Sequence, residues 1–492
     1  MEERLKRRKL DALKRGIHRV TGEDPLPLAT HLVGVGKAGA DAIKRILQDL
    51  EPGTPKLRAL AIDIGDRDLA ELHALAKTIP PERAEVTTIA LDMPPAVAMF
   101  DVLAGYDTFL RLEYPNYRWP GNPLPWLPRS AYVPDTRQHH ERAVAKAIYG
   151  YAYYSGARPL DHALRAFAAS IDAERAQALV AVIFGMTGGT GSGIVVDLAR
   201  HLSNGLFGRR TLVAGIGVAP NDGDRQISGR QTGGRLFSVL SELDVLCDEN
   251  KNRNVVMSCG EMFRNPFTAG FIVIPQQHVW QATQDLAETH RRVDTAIAAL
   301  MTSGRGTHVW ELLRLLNWVA APSTQHSAAR TPWGPQWIHM LGFTDAADPA
   351  LRASLGVLPS FHPEFIEIRV NDVDANHAAI VDSIQSAFEP DVPPHVVDGG
   401  KSGSAQFILP RLAKTDLATF AKSREAYAMA DEEQRLLDHS LLLEQGIELC
   451  EPSTQLEGMA GASLAGASGW VAVPFEDIHG SPVVSAPLSM SV

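Results

Sequence analysis

One glycine-rich segment constrains the fold of this chain more than any other feature of the sequence. It runs from Met186 to Gly193 (MTGGTGSG) and lies between an apolar run, Ala181 to Met186, and an apparent helix that begins near Ile194. Glycine lets the backbone approach a ligand closely, and the first N–H groups of a helix attract anions. A strand, a glycine loop and a helix in this order predict a site for the phosphates of a nucleotide. The alternative is a tight strand-to-helix turn whose glycines bind nothing.

The composition of this loop distinguishes between classes of phosphate site. A P-loop is excluded because no Lys precedes the final Ser. The segment from Phe184 to Gly193 instead closely resembles the signature loop of the tubulin/FtsZ superfamily, Gly-Gly-Gly-Thr-Gly-Ser/Thr-Gly, with Thr187 in place of the first glycine. The resemblance implies an α/β fold with a Rossmann-like parallel-sheet nucleotide-binding domain, a central helix and a smaller α+β C-terminal domain. It assigns phosphate contacts to Thr187, Gly188, Gly189, Thr190, Gly191, Ser192 and Gly193.

Another glycine loop, at residues 34–39, comes first in the chain, so the loop at 187–193 is the second in chain order. Thr30 to Val35 is typical of a strand, a helix follows to about Leu50, and Leu57 to Asp63 is typical of a second strand ending in an acid. With Gly34, Gly36 and Gly39 after the first strand, this unit also matches a dinucleotide fingerprint, so an NAD-dependent Rossmann oxidoreductase is an alternative. That alternative leaves the loop at 187–193 unexplained. The resemblance places Gly34, Gly36, Lys37 and Gly39 on a first phosphate loop and Asp63 beside it.

Two later strand ends carry the residues expected to meet the rest of the nucleotide. Thr211 to Pro220 and Phe271 to Pro275 are typical of buried strands, and Arg230 to Asn250 is typical of a helix. By resemblance, Asn221, Asp224 and Arg225 lie where the family contacts ribose. Gln276 and Gln277 replace the Asn-Asp pair that faces guanine, and Asp285 on the central helix lies near the base. Side-chain amides can read a purine edge through paired donors and acceptors.

The loop after the central helix departs from the family pattern. The family has Asn-x-Asp-x-x-Asp there, whose carboxylates orient the water that attacks the γ-phosphate, whereas this chain has Thr302-Ser-Gly-Arg-Gly-Thr-His-Val-Trp-Glu311. Glu311 is the candidate catalytic residue, with His308 as an alternative and Arg305 as a charge offered to a neighbour's phosphate. The sequence therefore predicts a nucleotide site and leaves hydrolysis open.

Composition limits the class of protein. At 492 residues with 45% hydrophobic content the chain can bury a large core and form two or three domains. The net charge of −10 disfavours binding to nucleic acid. No apolar stretch is long enough to span a membrane and the N-terminus lacks a signal-peptide core, so we expect a cytoplasmic protein. The three cysteines, Cys247, Cys259 and Cys450, form no metal-binding or disulfide pattern.

The sequence predicts an organisation into successive regions. Residues 1–28 form a basic extension that either docks onto a membrane or partner or packs on its own domain. An insertion rich in Pro and aromatic residues interrupts the nucleotide-binding domain and is either a partner-binding loop or a lid. In the segment that follows it, residues 134–142, Arg137 and Arg142 either contact phosphate or form surface ion pairs. The predicted ranges are 29–279 for the nucleotide-binding domain, 93–134 for the insertion, 280–301 for one continuous central helix, 302–335 for a connection, 336–450 for the C-terminal domain and 451–492 for a flexible tail.

These observations together predict a tubulin/FtsZ-like cytoskeletal protein. The resemblance implies that it binds GTP or GDP, with Mg²⁺ beside the phosphates, between head-to-tail subunits of a filament or other oligomer. The alternative is a nucleotide-binding scaffold that does not polymerise and acts with a membrane or partner proteins. The absence of the family's two aspartates after the central helix favours this alternative.

Overall fold

A computed structural model provides the coordinates of the chain. It describes residues 29–50, 54–94, 141–174, 178–224, 234–247, 249–302, 338–340, 397–398, 405–406, 414–438 and 470–471. Several predicted features lie outside these residues. They are the basic extension 1–28, nearly all of the insertion 93–134, Arg137, Arg225, the loop with Arg305, His308 and Glu311, and most of the regions 336–450 and 451–492.

A parallel sheet forms the centre of the fold. Its first six strands in chain order are β1 (Ala29–Val35), β2 (Leu57–Ile64), β3 (Ala84–Leu91), β4 (Ala178–Gly185), β5 (Leu212–Val218) and β6 (Gly270–Ile274). In space they run β3-β2-β1-β4-β5-β6, and each neighbouring pair is parallel. This is the strand order of a doubly wound α/β fold, in which the direction of winding reverses between β1 and β4. The predicted Rossmann-like parallel sheet is confirmed.

Helices cover both faces of this sheet. In chain order they are α1 (Gly36–Gln48), α2 (Ala70–Ala76), α3 (Arg142–Tyr154), α4 (Pro159–Asp172), α5 (Gly189–Arg200), α6 (Arg235–Cys247), α7 (Glu249–Cys259), α8 (Gln277–Thr283), α9 (Leu286–Thr302), α10 (Lys414–Met429) and α11 (Glu432–Asp438). A π-helical segment, His201–Leu206, extends α5. Successive residues of a strand face opposite sides, so Leu32 packs in one core with Ile43 and Ile297, whereas Val33 packs in the other with Tyr149. Burial on both faces explains why the central strands are almost wholly apolar.

The helix after the long glycine loop begins earlier than the sequence predicted. It starts at Gly189, not near Ile194, and its first helical hydrogen bond runs from the Ser192 N–H to the Gly188 carbonyl. Glycine has low helix propensity, so the pattern alone favoured a loop here. The last three glycines of the motif consequently lie in the first turns of α5.

The predicted continuous central helix is wrong, because α8 and α9 are separate. Gln284 ends α8 with a φ of 51°, a left-handed conformation that an α-helix cannot continue through. Asp285 then caps α9, since its Oδ1 accepts a hydrogen bond from the Glu288 N–H at 3.1 Å. The helix predicted for 230–250 is found as α6, and α7 begins at its predicted end.

Two short strands from later in the chain extend the parallel sheet beyond β6. Strand β7 (Ile338–Met340) pairs in parallel with β6, and β10 (Trp470–Val471), which falls in the predicted flexible tail, pairs with β7. These additions cover the backbone groups that β6 would otherwise expose as an edge strand. A small antiparallel pair, β8 (Val397–Asp398) and β9 (Ala405–Gln406), is separate from this sheet.

Close packing inside the sheet gives a first test. A Cβ added at Gly215 in β5 would overlap the ring of Phe271, which is buried and packs against Phe184 and Phe267. We expect Gly215→Ala to lower the free energy of unfolding by about 1–3 kcal/mol in chemical denaturation. Gly185→Ala is the matched control, because its Cβ would lie 3.4 Å from the Ala38 side chain, an ordinary contact. Equal effects of the two substitutions would contradict this packing.

Candidate nucleotide site

The two glycine loops meet at the point where the sheet reverses its winding. Strands β1 and β4 are neighbours, with Val35 opposite Phe184, so the turns that follow them lie side by side. Gly36 has a φ of 70°, which favours glycine, and a Cβ there would lie 3.1 Å from the backbone nitrogen of Gly191. Ligands of open α/β sheets bind in the crevice at this position.

Several motif glycines are required by packing alone. A Cβ at Gly39 would lie 2.5 Å from the Ile183 carbonyl oxygen, and one at Gly34 would lie 2.6 Å from that of Gly39. A Cβ at Gly193 would overlap the backbone of Arg142 on α3. Gly188 differs, because it is exposed and the nearest atom to its Cβ position is 3.8 Å away. Gly188 is therefore a residue that a ligand can approach.

Two helix N-termini converge on this crevice without side-chain caps. Neither α1, whose N-cap is Val35, nor α5, whose N-cap is Gly188, has a side-chain hydrogen bond at its cap or an acidic residue in its first turn. The first N–H groups of a helix lack intrahelical acceptors and carry partial positive charge. Lys37 adds an exposed ammonium group, 3.2 Å from the Asp41 carboxylate. The arrangement is suited to an anion.

Asp63 lies at the end of β2, beside this crevice. Its side chain is 5% exposed, its Oδ1 accepts a hydrogen bond from the Ile64 N–H at 2.8 Å, and it is hydrogen-bonded to the Thr190 side chain. Burial raises the pKa of Asp63 to about 6 against these two hydrogen bonds, which favour the charged form. Thr190 thus connects the second glycine turn to the end of β2.

Ser192 faces the interior and not the crevice. Its hydroxyl donates to the Gly188 carbonyl at 2.6 Å and accepts from Arg142 Nε at 3.0 Å. Arg142, for which a phosphate contact or a surface ion pair was predicted, is fully buried and pairs with Glu242 at 2.6 Å. The Ser192 side chain therefore stabilises the turn from behind, while Thr187, Gly188 and Thr190 remain partly or fully exposed.

The predicted ribose and base residues form a second polar group at the same edge of the sheet. Asp224 Oδ2 accepts hydrogen bonds from the Asn221 N–H and from Gln276 Nε2, both at 3.0 Å, and Asp224 Oδ1 lies 3.0 Å from His290 Nε2. The Asn221 and Gln276 side chains are 1% and 4% exposed. Within the described part of the chain, Asn221 Nδ2 and Gln276 Oε1 have no hydrogen-bond partner. A buried donor and a buried acceptor are thus left unpaired in side chains that both contact Asp224 or its backbone, which is costly unless water or a ligand pairs with them.

The remaining candidates have local structural roles. Gln277 is paired with Asp222 through two hydrogen bonds of 2.8 Å, one to its backbone N–H and one to its carboxylate. Asp285 caps α9. Sequence reasoning missed His290, because its contact with Asp224 joins residues far apart in the chain that no local pattern links. Among the described residues there is no group of His, Cys, Asp or Glu that could hold a metal ion by itself, and no helix long and apolar enough to cross a membrane.

The Asp63 carboxyl gives a test in pH. Because its pKa is raised in the folded state, it stabilises the fold below pH 3.8, and this contribution is lost as the pH rises through about 6. Relative to Asp63→Asn, the wild type should lose roughly 2 kcal/mol of unfolding free energy between pH 4 and pH 7, measured by denaturant titration. Asp66→Asn makes the same change from carboxylate to amide at a nearby exposed position and is the matched control. A wild-type profile parallel to that of Asp63→Asn would refute this assignment.

Comparison with known proteins finds structural relatives only. No protein-family model and no curated protein sequence matches the chain. Among solved structures, CetZ from Methanosaeta thermophila shares 14% identity, covering 73% of this chain and 68% of its own, with a TM-score of 0.30. The tail-truncated TubZ of Clostridium botulinum phage c-st shares 13%, with coverage of 83% and 99% and a TM-score of 0.33. TubZ of Bacillus thuringiensis serovar israelensis, in GDP-form protofilaments, shares 14%, with coverage of 76% and 73% and a TM-score of 0.32. These structures are of tubulin/FtsZ-family proteins, and they are what this chain is similar to.

Proposed function

We propose that this chain binds a purine nucleotide, GTP or GDP, with the phosphates on the two glycine turns. The observation that carries the proposal is the convergence of two helix N-termini without side-chain caps at the reversal point of the sheet. Both present unpaired N–H groups to one crevice, and the backbones approach closely because Gly36 and Gly191 carry no side chain. An oligophosphate can be held by two such termini at once.

Individual residues would divide the phosphate contacts between them. The exposed turn at Thr187 and Gly188 and the N–H groups of Gly189, Thr190 and Gly191 would hold the phosphates from one side. Gly36 and Lys37 would hold them from the other. Ser192 and Gly193 would act indirectly, by fixing the first turn of α5 against α3. Mg²⁺ would be held largely by the phosphates themselves, as is usual for this ion with nucleotides.

The nucleoside would extend along the strand ends toward β6. Parallel strands are about 4.8 Å apart, so the end of β6 lies roughly 10 Å from the end of β4. The side-chain amides of Asn221 and Gln276 would therefore lie beyond the phosphates. Asn221 Nδ2 and Gln276 Oε1 are buried and, among the described residues, unpaired; after a local movement that exposes them, they would supply one donor and one acceptor for a ribose hydroxyl or the amide edge of a purine. The resemblance of the glycine motif to the tubulin/FtsZ signature favours guanine.

The position of Asp63 bears on the NAD alternative. In dinucleotide folds the acid after the second strand binds ribose hydroxyls. Here the carboxyl is buried and bonded to Thr190 of the other glycine turn. A nucleotide that uses both turns accounts for this contact, whereas an NAD site leaves the second turn without a role. Hydrolysis is not part of the proposal, because Glu311, Arg305 and His308 lie outside the described residues.

The substitution Gly188→Asp distinguishes an effect on anion binding from an effect on the stability of the fold. Gly188 is the N-cap of α5 in an extended conformation (φ −66°, ψ 134°) with space for a side chain, so an Asp there can cap the helix itself. We expect the ligand-free variant to gain a few tenths of a kcal/mol in unfolding free energy, because glycine is already a tolerated N-cap residue. We expect the same variant to lose GTP and GDP binding, because its carboxylate occupies the N–H groups and repels phosphate. Thermal denaturation with and without nucleotide measures both effects.

Gly188→Asn is the matched control. It caps the helix without a charge and should retain more nucleotide affinity than Gly188→Asp. Undiminished GTP binding by Gly188→Asp would place the phosphates elsewhere. A wild-type protein that carries no nucleotide and shows no thermal shift with GTP or GDP would end the binding proposal, and a shift with NAD alone would favour the oxidoreductase.

Self-assembly is the second part of the proposal and rests on the resemblance of the motif. We expect the protein to form sedimentable filaments or oligomers with GTP, visible by electron microscopy, with less assembly in GDP and none in Gly188→Asp. Phosphate release that rises faster than linearly with protein concentration would indicate hydrolysis completed between subunits. Soluble protein under every nucleotide condition would favour the alternative of a scaffold that acts with a membrane or partner proteins.

A further inference from the structure

A buried network of charged residues lies behind the second glycine turn. It contains four basic and four acidic side chains: Arg142, Lys146, Arg200, Arg235, Glu141, Asp197, Glu242 and Asp438. Of these, Glu141 is the most exposed, at 15% for its side chain. Buried ions are tolerated when each is paired, and removing one partner is strongly destabilising. Each of these eight side chains forms an ion pair with at least one of the others.

Arg142 connects this network to the glycine turn. Its Nε donates to the Ser192 hydroxyl at 3.0 Å, and its Nη2 donates to the Ser192 carbonyl at 2.9 Å and to Glu242 at 2.6 Å. Its Nη1 donates to the carbonyl of Asp438. A guanidinium group is planar and rigid, so a change in one of these acceptors is transmitted to the others. Arg142 therefore joins the first turn of α5 to the end of α11.

Asp438 holds the C-terminal helices against the nucleotide-binding domain. Its carbonyl accepts from Arg142, and its Oδ1 accepts from Arg235 Nε at 3.0 Å. On α10, the Tyr427 ring packs 4.8 Å from that of Phe237, and the Ser423 hydroxyl accepts from the Phe237 N–H at 3.0 Å. The two C-terminal helices are thus docked at several points, one of which leads directly to Ser192.

We propose that Arg142 is a positioning residue that couples docking of α10 and α11 to the nucleotide site, a proposal that rests on the function proposed above. Docking fixes Arg142, Arg142 fixes both polar groups of Ser192, and Ser192 keeps the N–H groups of the turn directed at the anion. Coupling of this kind is reciprocal, so bound nucleotide stabilises the docked helices to the same extent that docking strengthens nucleotide binding.

Hydrogen exchange of the full-length protein tests this coupling. We expect saturating GDP to slow amide exchange at 432–438 about tenfold. We expect Asp438→Asn, which weakens the pair with Arg235, to speed exchange at 188–193 in the ligand-free protein and to weaken GDP binding about tenfold. Glu425→Gln makes the same change from carboxylate to amide at an exposed position on α10 and should alter neither. A purely structural role for Asp438 would lower the melting temperature without these reciprocal effects.

The possible results separate this proposal from nucleotide binding itself. If GDP binds but neither GDP nor Asp438→Asn changes exchange at the opposite segment, the coupling is refuted and the binding proposal stands. If GDP does not bind, the binding proposal fails, and the coupling is judged by exchange in the ligand-free Asp438→Asn protein. If that variant does not fold, Ser423→Ala, which removes the hydrogen bond to Phe237, replaces it in the same measurements.

Discussion

The close approach of two backbone turns at the junction of β1 and β4 is the constraint on which this structure depends. Gly36 and Gly191 nearly touch, and Gly39 lies against the carbonyl of Ile183 with no room for a methyl group. Only this approach allows α1 and α5 to point their N-termini into one crevice, because any side chain there would push the helices apart. The proposed anion site would therefore be a consequence of how the helices pack on the sheet.

The sequence predicted the features that local patterns encode and missed those that depend on distant contacts. Apolar runs identified strands β1, β2, β4, β5 and β6, and glycine spacing located both turns. The start of α5 at Gly189 was missed because glycine is a poor helix former. The break after α8 was missed because glutamine is a good helix former, so its residue type does not predict the left-handed conformation of Gln284. The buried position of Arg142 depends on Glu242 and Asp438, far along the chain, so no spacing rule could have distinguished it from a surface arginine.

Electrostatics differ on the two sides of the glycine turn. Behind it, each buried charge is paired with at least one opposite charge, and some partners are shared: Asp197 pairs with both Lys146 and Arg200. In front, the partial charges of two helix termini are not offset by acids in either first turn. Asp63 is the exception at the edge of the crevice, and burial already raises its pKa to about 6. An anion bound nearby would raise the pKa further, so nucleotide binding near neutral pH would be accompanied by proton uptake at this carboxyl.

The signature segment thus combines two kinds of residue that sequence comparison cannot separate. Gly193 and the Ser192 side chain face the interior, where they allow α3 to pack closely and receive Arg142. Thr187, Gly188 and Thr190 lie on the accessible side. Substitution of Gly193 or Ser192 would destabilise the fold whether or not the protein binds a nucleotide. A motif of this kind is therefore stronger evidence for the arrangement of strand, turn and helix than for catalysis, and only the exposed residues connect it to a ligand.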